Sequence, residues 1–387
     1  MEEIVLAAQC GKPVSGLTHG FYRYPARFSP VFVRAAIEAF SKRGDWVVDP
    51  FAGGGTTLVE ALASGRNALG IDISSLAAFI CEAKTLVLSD RDIGAFQRWM
   101  VLLPSTVNMR APTFRFESYA KAGYYRNLEG YAFWRFRKAI EQCMASVQRL
   151  RCKGAQTLAR CVVLRTAQWA LDARKVRPSI PRFRMELRWL AESMLEAALV
   201  LRGQIEGSRN IPQPKVAFLN RDTAEAETED LVREVCPPKL IITSPPYPGI
   251  HVLYHRWQVD GRREAPAPFW ITGKLDGAGS SYYTMGDRHY PKLRTYFESL
   301  KASFQSIARM AGPETTIVQM IAFSEVEWQL PQYLEVMESC GLREELPWNI
   351  NTGDGRLWRD VPNRKWHAQQ KSRSPGAKEV VLVHRIK

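Results

Sequence analysis

The alternation of hydrophobic and polar positions is most regular near the amino end of the chain. An apolar run over residues 46–48 leads through Asp49 into a glycine-rich turn, and a helical pattern begins near Thr56. A second apolar run over residues 68–71 ends in another acid, Asp72. Strand, glycine turn, helix, strand and terminal acid form the first unit of a doubly wound parallel sheet. The pattern therefore predicts a fold of the α/β class.

The same alternation returns in the second half of the chain. Apolar runs over residues 215–219 and 239–242 predict two further strands, and the second runs directly into Ser244. The remaining predicted elements are helices at about 292–311 and 329–340 and strands at 316–321 and 379–384. Segments rich in proline and glycine, at 261–289 and 351–377, are predicted to be long loops.

Between these two parts the strand signals stop. Residues 85–212 have the pattern of long helices rich in arginine and aromatic residues. We therefore predict that residues 1–84 and 213–387 form one α/β domain and that 85–212 form a helical insertion. The chain has a formal charge of +14, and residues 85–210 hold 22 lysines and arginines against 10 acids, a net +12. This local excess of positive charge points to a polyanionic partner for the insertion.

Composition argues against several other classes of protein. With 387 residues, 46% of them hydrophobic, the chain can bury a sizeable core. The seven cysteines contain no Cys-x-x-Cys pair, which argues against a disulfide framework or a zinc site. His251 and His255 have helical spacing without the glutamate of a His-Glu-x-x-His motif, so no metal is predicted. Because the first residues are acidic and no apolar run approaches about 18 residues, we expect a cytoplasmic protein without membrane contact.

Three glycines, Gly53, Gly54 and Gly55, lie where the first strand leads into a helix. Without side chains the backbone turns tightly, and a ligand can approach the main-chain amides near the helix amino end. A Walker motif is excluded because no Lys-Ser/Thr pair follows the glycines, and the dinucleotide fingerprint has a different spacing. A sharp structural turn uses glycine for the same reason. Asp72 favours a ligand, since an acid at this strand end meets the ribose hydroxyls of a nucleoside.

The run from Asp49 to Thr57 closely resembles the first motif of the DNA amino-methyltransferases, which are Rossmann-like enzymes that use S-adenosylmethionine. The resemblance covers roughly residues 19–84 and 215–323, and it implies a Rossmann-like methyltransferase sheet with S-adenosylmethionine as cofactor. Residues 19–28 are similar to the segment that closes over the cofactor's methionine end, and residues 220–222 to the motif whose acid approaches its adenine. The cofactor-binding residues that the resemblance implies are Asp49, Phe51, Gly53, Gly55, Thr56, Asp72, Asp222 and Phe28.

Ser244-Pro245-Pro246-Tyr247 directly follows an apolar strand. Two prolines fix the backbone and remove donors, so the serine and tyrosine side chains are presented at the strand's carboxyl end. An exocyclic amino nitrogen is a poor nucleophile because its lone pair is delocalised into the ring. Ser244 Oγ and the Pro245 carbonyl are natural acceptors for its two protons, and Tyr247 would stack on a base flipped out of the duplex. These four residues are the predicted catalytic residues.

The target base follows from the resemblance. In that family, serine in the first place of the tetrad is typical of cytosine-N4 enzymes, and aspartate is more usual in adenine-N6 enzymes. The resemblance thus implies sequence-specific methylation of cytosine N4 in double-stranded DNA, and suggests host protection beside a cognate restriction endonuclease, at the nucleoid in a prokaryote. The alternatives are an adenine-N6 DNA methyltransferase, a methyltransferase of a base in RNA, and a non-catalytic DNA-binding subunit that has kept the fold.

Basic and aromatic residues alternate between residues 119 and 138 of the insertion. Arginines bind phosphates and aromatic rings stack on bases, although an amphipathic bundle with a basic face gives the same pattern. The residues predicted to contact nucleic acid are Arg126, Arg135, Arg137, Arg174, Lys175, Arg177, His251 and Trp257. Arg359 and residues 364–366 are further candidates for phosphate contact. The family's better-known members place target recognition after the third motif, whereas this insertion falls between the second and the third.

Overall fold

The computed structural model describes the chain apart from residues 12–13, 25–27, 113–115, 208–211, 249–255, 262, 277–282, 284, 287–290, 349, 351–352 and 361–377. The α-helices within the described residues are α1 (Glu2–Ala8), α2 (Pro30–Phe40), α3 (Thr56–Ala63), α4 (Ser75–Lys84), α5 (Asp90–Thr106), α6 (Glu117–Lys121), α7 (Trp134–Gln148), α8 (Lys153–Leu171), α9 (Ile180–Glu206), α10 (Asp230–Val235), α11 (Ala267–Thr272), α12 (Arg294–Met310) and α13 (Val326–Ser339). The strands within them are β1 (Trp46–Asp49), β2 (Asn67–Ile71), β3 (Val216–Leu219), β4 (Leu240–Thr243), β5 (Trp257–Asp260), β6 (Arg263–Ala265), β7 (Thr316–Ala322), β8 (Leu342–Glu345), β9 (Leu357–Asp360) and β10 (Lys378–Ile386).

Eight of these strands form one central sheet. Its order is β3-β2-β1-β4-β7-β10-β8, and β9 pairs with the first half of β10. The strands from β3 to β7 are parallel, whereas β10 runs antiparallel to its neighbours β7, β8 and β9. Chain order reverses between β1 and β4, and ligands of such sheets bind at the carboxyl ends of the strands beside this reversal. The predicted α/β, doubly wound sheet is confirmed.

Helices cover both faces of the sheet because successive residues of a strand point to opposite sides. Val47 packs in a core with α1 and α2, whereas Val48 packs in a second core with α12 and α13. Both valines have no exposed surface. Burial on both faces explains why the parallel strands appear in the sequence as continuous apolar runs without alternation.

Helices α5, α7, α8 and α9 of the predicted insertion form most of another core, which also includes α4 and residues 21–24 of the first α/β segment. The β5–β6 hairpin and α11 also belong to this core, through buried residues such as Trp257, Phe269 and Trp270. The loop predicted over 261–289 is therefore wrong where β6 and α11 lie. Residues 257–271 lie within the second predicted α/β segment, 213–387, but their buried residues pack with the insertion.

The other predicted elements of the second half lie close to their predicted positions, as α12, α13, β7 and β10. The pattern does not predict β8, and the predicted loop over 351–377 is wrong at β9. Both strands are only four residues long, too short to show a clear hydrophobic period. No described helix combines the length and the apolar character needed to cross a membrane.

The contribution of the second α/β segment to the insertion core can be measured. Trp270 is 1% exposed, and its ring centroid lies 4.6 Å from that of Tyr125. We expect Trp270→Ala to lower the free energy of unfolding by about 3–5 kcal/mol in chemical denaturation, because the cavity is too large to collapse. Leu275→Ala, at a side chain that is 75% exposed, should change it by less than about 0.5 kcal/mol. An equally small effect of both substitutions would contradict a core shared by the insertion and the second α/β segment.

Candidate active site

The predicted cofactor and catalytic residues meet at one edge of the sheet. Asp49 is the last residue of β1, Asp72 follows β2, and Ser244 follows β4. These three strands are neighbours or next neighbours in the order β2-β1-β4, and all are parallel. Their carboxyl ends therefore lie side by side, and the structure brings together the two motifs that are almost 200 residues apart in the chain.

Asp49 is the centre of this edge. It is 3% exposed, and its carboxylate accepts hydrogen bonds from Thr57 Oγ1 at 2.6 Å, Thr243 Oγ1 at 2.8 Å and the Phe51 amide at 3.1 Å. Thr57 belongs to α3, and Thr243 directly precedes Ser244. One buried carboxylate thus ties the glycine turn to the tetrad. Burial raises the pKa of Asp49 to about 6, although the hydrogen bonds from Thr57 and Thr243 oppose this shift.

The glycine turn has the backbone shape that the sequence predicts. Gly53 and Gly55 have positive φ angles of 47° and 71°, and Gly55 is the N-cap of α3. A Cβ atom at Gly55 would lie 2.9 Å from Cys81 Sγ, so a larger residue there would displace α4. The Lys84 ammonium, also on α4, donates to the Gly54 carbonyl at 2.6 Å. Helix α4 therefore packs against the glycine turn and stabilises it.

Asp72 also holds the turn. Its carboxylate accepts from the Gly53 amide and from the Ser74 amide, both at 2.8 Å. The Asn220 side-chain amide donates to the Asp72 carbonyl at 2.9 Å, which places the motif over residues 220–222 beside β2. The exposed Asp222 lies two residues after this link. A ribose contact of Asp72 and an adenine contact of Asp222 stay predictions.

The other predicted cofactor residues differ in accessibility. Phe51 is half-buried, whereas Thr56 is 5% exposed at the start of α3. Phe28 is half-buried against Phe32 of α2, with ring centroids 5.8 Å apart. The Tyr24 ring packs close to Gly54, at 3.4 Å from the position of an added Cβ atom. The described part of the segment over 19–28 therefore does lie beside the glycine turn.

The same segment is held by the helical insertion. The Arg23 amide donates to Gln168 Oε1 at 3.1 Å, and Gln168 Nε2 donates to the Arg23 carbonyl at 2.9 Å. Trp257 Nε1 donates to the Tyr22 hydroxyl at 2.9 Å, and Trp257 is 1% exposed. Trp257 is thus buried in the insertion core, and its predicted contact with nucleic acid is wrong because no ring surface is available for stacking.

The tetrad is held by polar contacts from two other elements, α12 and β10. The Tyr296 hydroxyl donates to the Pro246 carbonyl at 2.7 Å. Ser244 Oγ lies 3.0 Å from the Tyr247 hydroxyl, which donates to Glu379 Oε1 at 2.8 Å. Ser244, Pro246 and Tyr247 are half-buried and Pro245 is buried. Helix α12 thus holds the backbone of the tetrad, and β10 holds the Tyr247 side chain, which in turn contacts Ser244.

Two residues at this site were not expected there from the sequence. Glu379 and Arg359 are cross-strand partners on β10 and β9, and their side chains form an ion pair with Arg359 Nε 2.9 Å from Glu379 Oε2. Each is 7% exposed. The predicted phosphate contact of Arg359 is therefore wrong, because its guanidinium is buried against a carboxylate. Residues 364–366 and His251 lie outside the described residues.

The predicted nucleic-acid residues of the insertion fall into two groups. Arg137 and Arg177 are half-buried: Arg137 is 3.7 Å from Glu141, and the Arg177 guanidinium lies 4.1 Å from the centroid of Phe133. The contact between Arg177 and Phe133 brings residues 131–135 beside 174–177. The exposed members of this surface are Arg126, Arg135, Arg174 and Lys175, together with Tyr131, which is 87% exposed, and Val176. Their contact with a nucleic acid stays a prediction.

No group of three or more histidine, cysteine or acidic side chains that could hold a metal ion occurs in the described part of the chain. The cysteines are free thiols; those at 81, 143 and 161 are buried, and burial raises the pKa of the Cys143 and Cys161 thiols to about 12. These thiols are therefore protonated and unreactive near neutral pH.

The raised pKa of Asp49 makes a testable difference to stability. Between about pH 4 and pH 6 the folded protein retains a proton that the unfolded chain releases, so this residue's contribution to stability falls as pH rises and is constant above that range. Asparagine has no such proton. We expect the stability of wild type relative to Asp49→Asn to fall by about 3 kcal/mol across this window in urea denaturation. Parallel stability curves would contradict an elevated pKa.

Comparison with known proteins gives matches to residues near the amino end of the chain. A family model described as a DNA methylase, of the N6/N4 type, matches residues 9–80. A Type II methyltransferase, M.MjaII, of Methanocaldococcus jannaschii is 41% identical over 66 residues, 17% of this chain and 12% of that protein. Another, M.BsoBI of Geobacillus stearothermophilus, is 39% identical over 70 residues, 18% of this chain and 14% of that protein. The matches thus span a small part of these relatives' length.

Among solved structures, the rRNA methyltransferase aviRa of Streptomyces viridochromogenes aligns over 96% of this chain and 90% of its own, at 11% identity and a TM-score of 0.36. This TM-score is too low to bear on function. S-adenosylmethionine, implied by the sequence resemblance, is the cofactor of the methylase family that the sequence model describes. The resemblance predicted from the sequence is therefore confirmed on residues 9–80, which match the DNA methylase family model and the Type II methyltransferases.

Proposed function

We propose that this protein transfers a methyl group from S-adenosylmethionine to the N4 amino group of a cytosine flipped out of double-stranded DNA. The observation that carries the proposal is the hydrogen bond between Asp49 and Thr243, at 2.8 Å, which joins the glycine turn to the Ser-Pro-Pro-Tyr tetrad. A methyl donor bound at the glycine turn and a base bound at the tetrad would lie on the two sides of the point, between β1 and β4, where the strand order reverses.

The side chains around the turn fit a cationic nucleoside cofactor. The cofactor supplies an electrophilic methyl group on a positively charged sulfur. Asp72 and Asp222 would hold its ribose and adenine, as carboxylates accept from hydroxyl and amino groups. The glycine turn and the buried Asp49 would face its methionine part, with Phe51 and Phe28 beside them. The acidic character of this edge contrasts with the basic insertion, and it suits a cation.

The tetrad suits an amino group on an aromatic base. Ser244 Oγ and the Pro245 carbonyl would accept the two amino protons and favour the localised lone pair that attacks the methyl carbon. Tyr247 would stack on the ring and replace part of the stacking energy lost when the base leaves the duplex, a few kcal/mol. In-line transfer then depends mainly on positioning. Serine at position 244, in place of aspartate, favours cytosine N4 over adenine N6.

The basic surface of the insertion favours DNA as the carrier of that base. Four exposed cations, Arg126, Arg135, Arg174 and Lys175, lie in or near the two chain segments that carry the exposed Tyr131 and Val176, so phosphate neutralisation and stacking are both available there. The relatives are Type II methyltransferases, which motivates a cognate restriction endonuclease as a partner that recognises the same sequence.

The role of the tetrad is tested by Ser244→Ala and Tyr247→Ala. We expect each substitution to lower methyl transfer from labelled S-adenosylmethionine to DNA at least about 100-fold, because the amino group loses its acceptor or its stacking partner. Cofactor affinity by calorimetry should stay within about twofold of wild type.

Ser339→Ala, at an exposed serine of α13, is the matched control and should leave transfer unchanged. Competing DNA and RNA substrates are offered together in the same assay. Preferential labelling of RNA would overturn DNA as the substrate. Tight DNA binding by wild type without any transfer would favour a non-catalytic binding subunit.

The basic surface is tested by the salt dependence of DNA binding. Each phosphate contact contributes about 0.9 to the slope of log K against log salt concentration. We expect the double variant Arg135→Ala/Lys175→Ala to lose about 2 from that slope, with weaker binding to all sequences. The comparison is a double variant at exposed lysines elsewhere, Lys42→Ala/Lys301→Ala, which should keep the wild-type slope. Equal slopes in both double variants would place the DNA on another surface.

A further inference from the structure

The terminal strand brings a buried carboxylate to the tetrad. β10 is antiparallel to β7, so its first residues lie at the carboxyl edge of the parallel strands, and Glu379 pairs with Ala322 at the end of β7. β9 is antiparallel to β10, and its residue Arg359 faces Glu379 directly. Both residues are 7% exposed. An antiparallel strand inserted in a parallel sheet is therefore what allows residues near the end of the chain to reach the site.

These residues form a continuous polar chain that ends at Ser244. Arg359 Nε lies 2.9 Å from Glu379 Oε2, Glu379 Oε1 accepts from the Tyr247 hydroxyl at 2.8 Å, and the Tyr247 oxygen lies 3.0 Å from Ser244 Oγ. Hydrogen bonds in such chains polarise one another in a low-dielectric interior. The chain therefore connects a charged pair to the side chain that would meet the substrate.

The donor and the acceptor in each hydrogen bond of this chain follow from the Glu379 carboxylate at one end. A carboxylate only accepts, so the Tyr247 hydroxyl must donate to Glu379 and has no second proton to give. The contact between Tyr247 and Ser244 can then be a hydrogen bond only if the Ser244 hydroxyl is the donor. The Ser244 proton is thereby directed toward Tyr247, and the lone pairs of Ser244 Oγ point away from Tyr247.

We propose that Glu379 is a positioning residue that sets the direction of this hydrogen-bond chain, so that Ser244 presents lone pairs and no proton to the amino group of the base. This inference rests on the proposed function of the tetrad. An amino group attached to an aromatic ring offers two protons, and a serine proton aimed at it would repel them. Glu379 also holds the Tyr247 hydroxyl and so fixes the ring that would stack on the base.

Arg359 explains why a glutamate is required. Its guanidinium donates and never accepts, so it pairs with an oxygen of residue 379. In Glu379→Gln the amide oxygen would turn to Arg359, and the amide nitrogen would donate to Tyr247. Tyr247 would then donate to Ser244, and the Ser244 proton would face the substrate. A substitution that changes the size of the side chain very little therefore reverses the whole chain.

The test compares steady-state methyl transfer by wild type and Glu379→Gln. We expect kcat to fall about 10- to 100-fold, the loss of one charge-assisted hydrogen bond in the transition state, with KM for DNA and cofactor affinity within about twofold. Glu344→Gln, which neutralises a carboxylate of β8 that lies 2.7 Å from Arg356, the residue before β9, is the matched control and should keep the wild-type kcat. In a Tyr247→Phe background the chain is already broken, so Glu379→Gln should cause no further loss.

A second measurement reports the direction of the hydrogen-bond chain and does not depend on methyl transfer. The carbon-13 signal of the Tyr247 ring carbon that carries the hydroxyl, assigned with Tyr247→Phe, should shift upfield in Glu379→Gln as the hydroxyl changes partner. Full kcat in Glu379→Gln, or equal losses in both Tyr247 backgrounds, would overturn the inference while the proposed function stands. Absence of transfer by wild type would overturn the proposed function, and an unmoved carbon-13 signal would then still overturn the direction of the chain.

Discussion

The buried carboxylate of Asp49 is the interaction on which the rest of the site depends. It accepts three hydrogen bonds at the end of β1, from the glycine turn, from α3 and from the last residue of β4. An uncompensated carboxylate in this position would cost several kcal/mol, so the three donors are a condition of folding as well as of function. The glycine turn and the tetrad are therefore held together by one side chain.

The insertion makes direct hydrogen bonds to the segment that packs beside this edge of the sheet. Gln168 binds both backbone polar groups of Arg23, and Trp257 binds Tyr22, so the segment before α2 is held between the insertion and the glycine turn. Residues from both halves of the α/β part contribute to the insertion core. DNA bound on the basic surface of the insertion would thus contact the same group of helices that holds the segment beside the glycine turn.

The sequence predicts the parts of the fold that depend on local pattern. The glycine turn, Asp72 and the tetrad stand beside apolar runs, so their common edge follows from the rules of parallel sheets. The role of Trp257 is missed because burial in a distant core leaves no local signal, and an exposed aromatic has the same sequence context. Glu379 and Arg359 are missed for a related reason: their pairing depends on the antiparallel register of two strands separated by a long connection.

If one sheet edge brings a methyl donor to the amino group of a cytosine, DNA from cells that express the protein should carry the product. Base-resolved sequencing of that DNA, with cells that express an inactive tetrad variant for comparison, is the decisive measurement. We expect N4-methylcytosine in one fixed short sequence context, present only with the intact tetrad. N6-methyladenine alone would contradict the target base, and DNA without any new methylation would contradict the proposed activity.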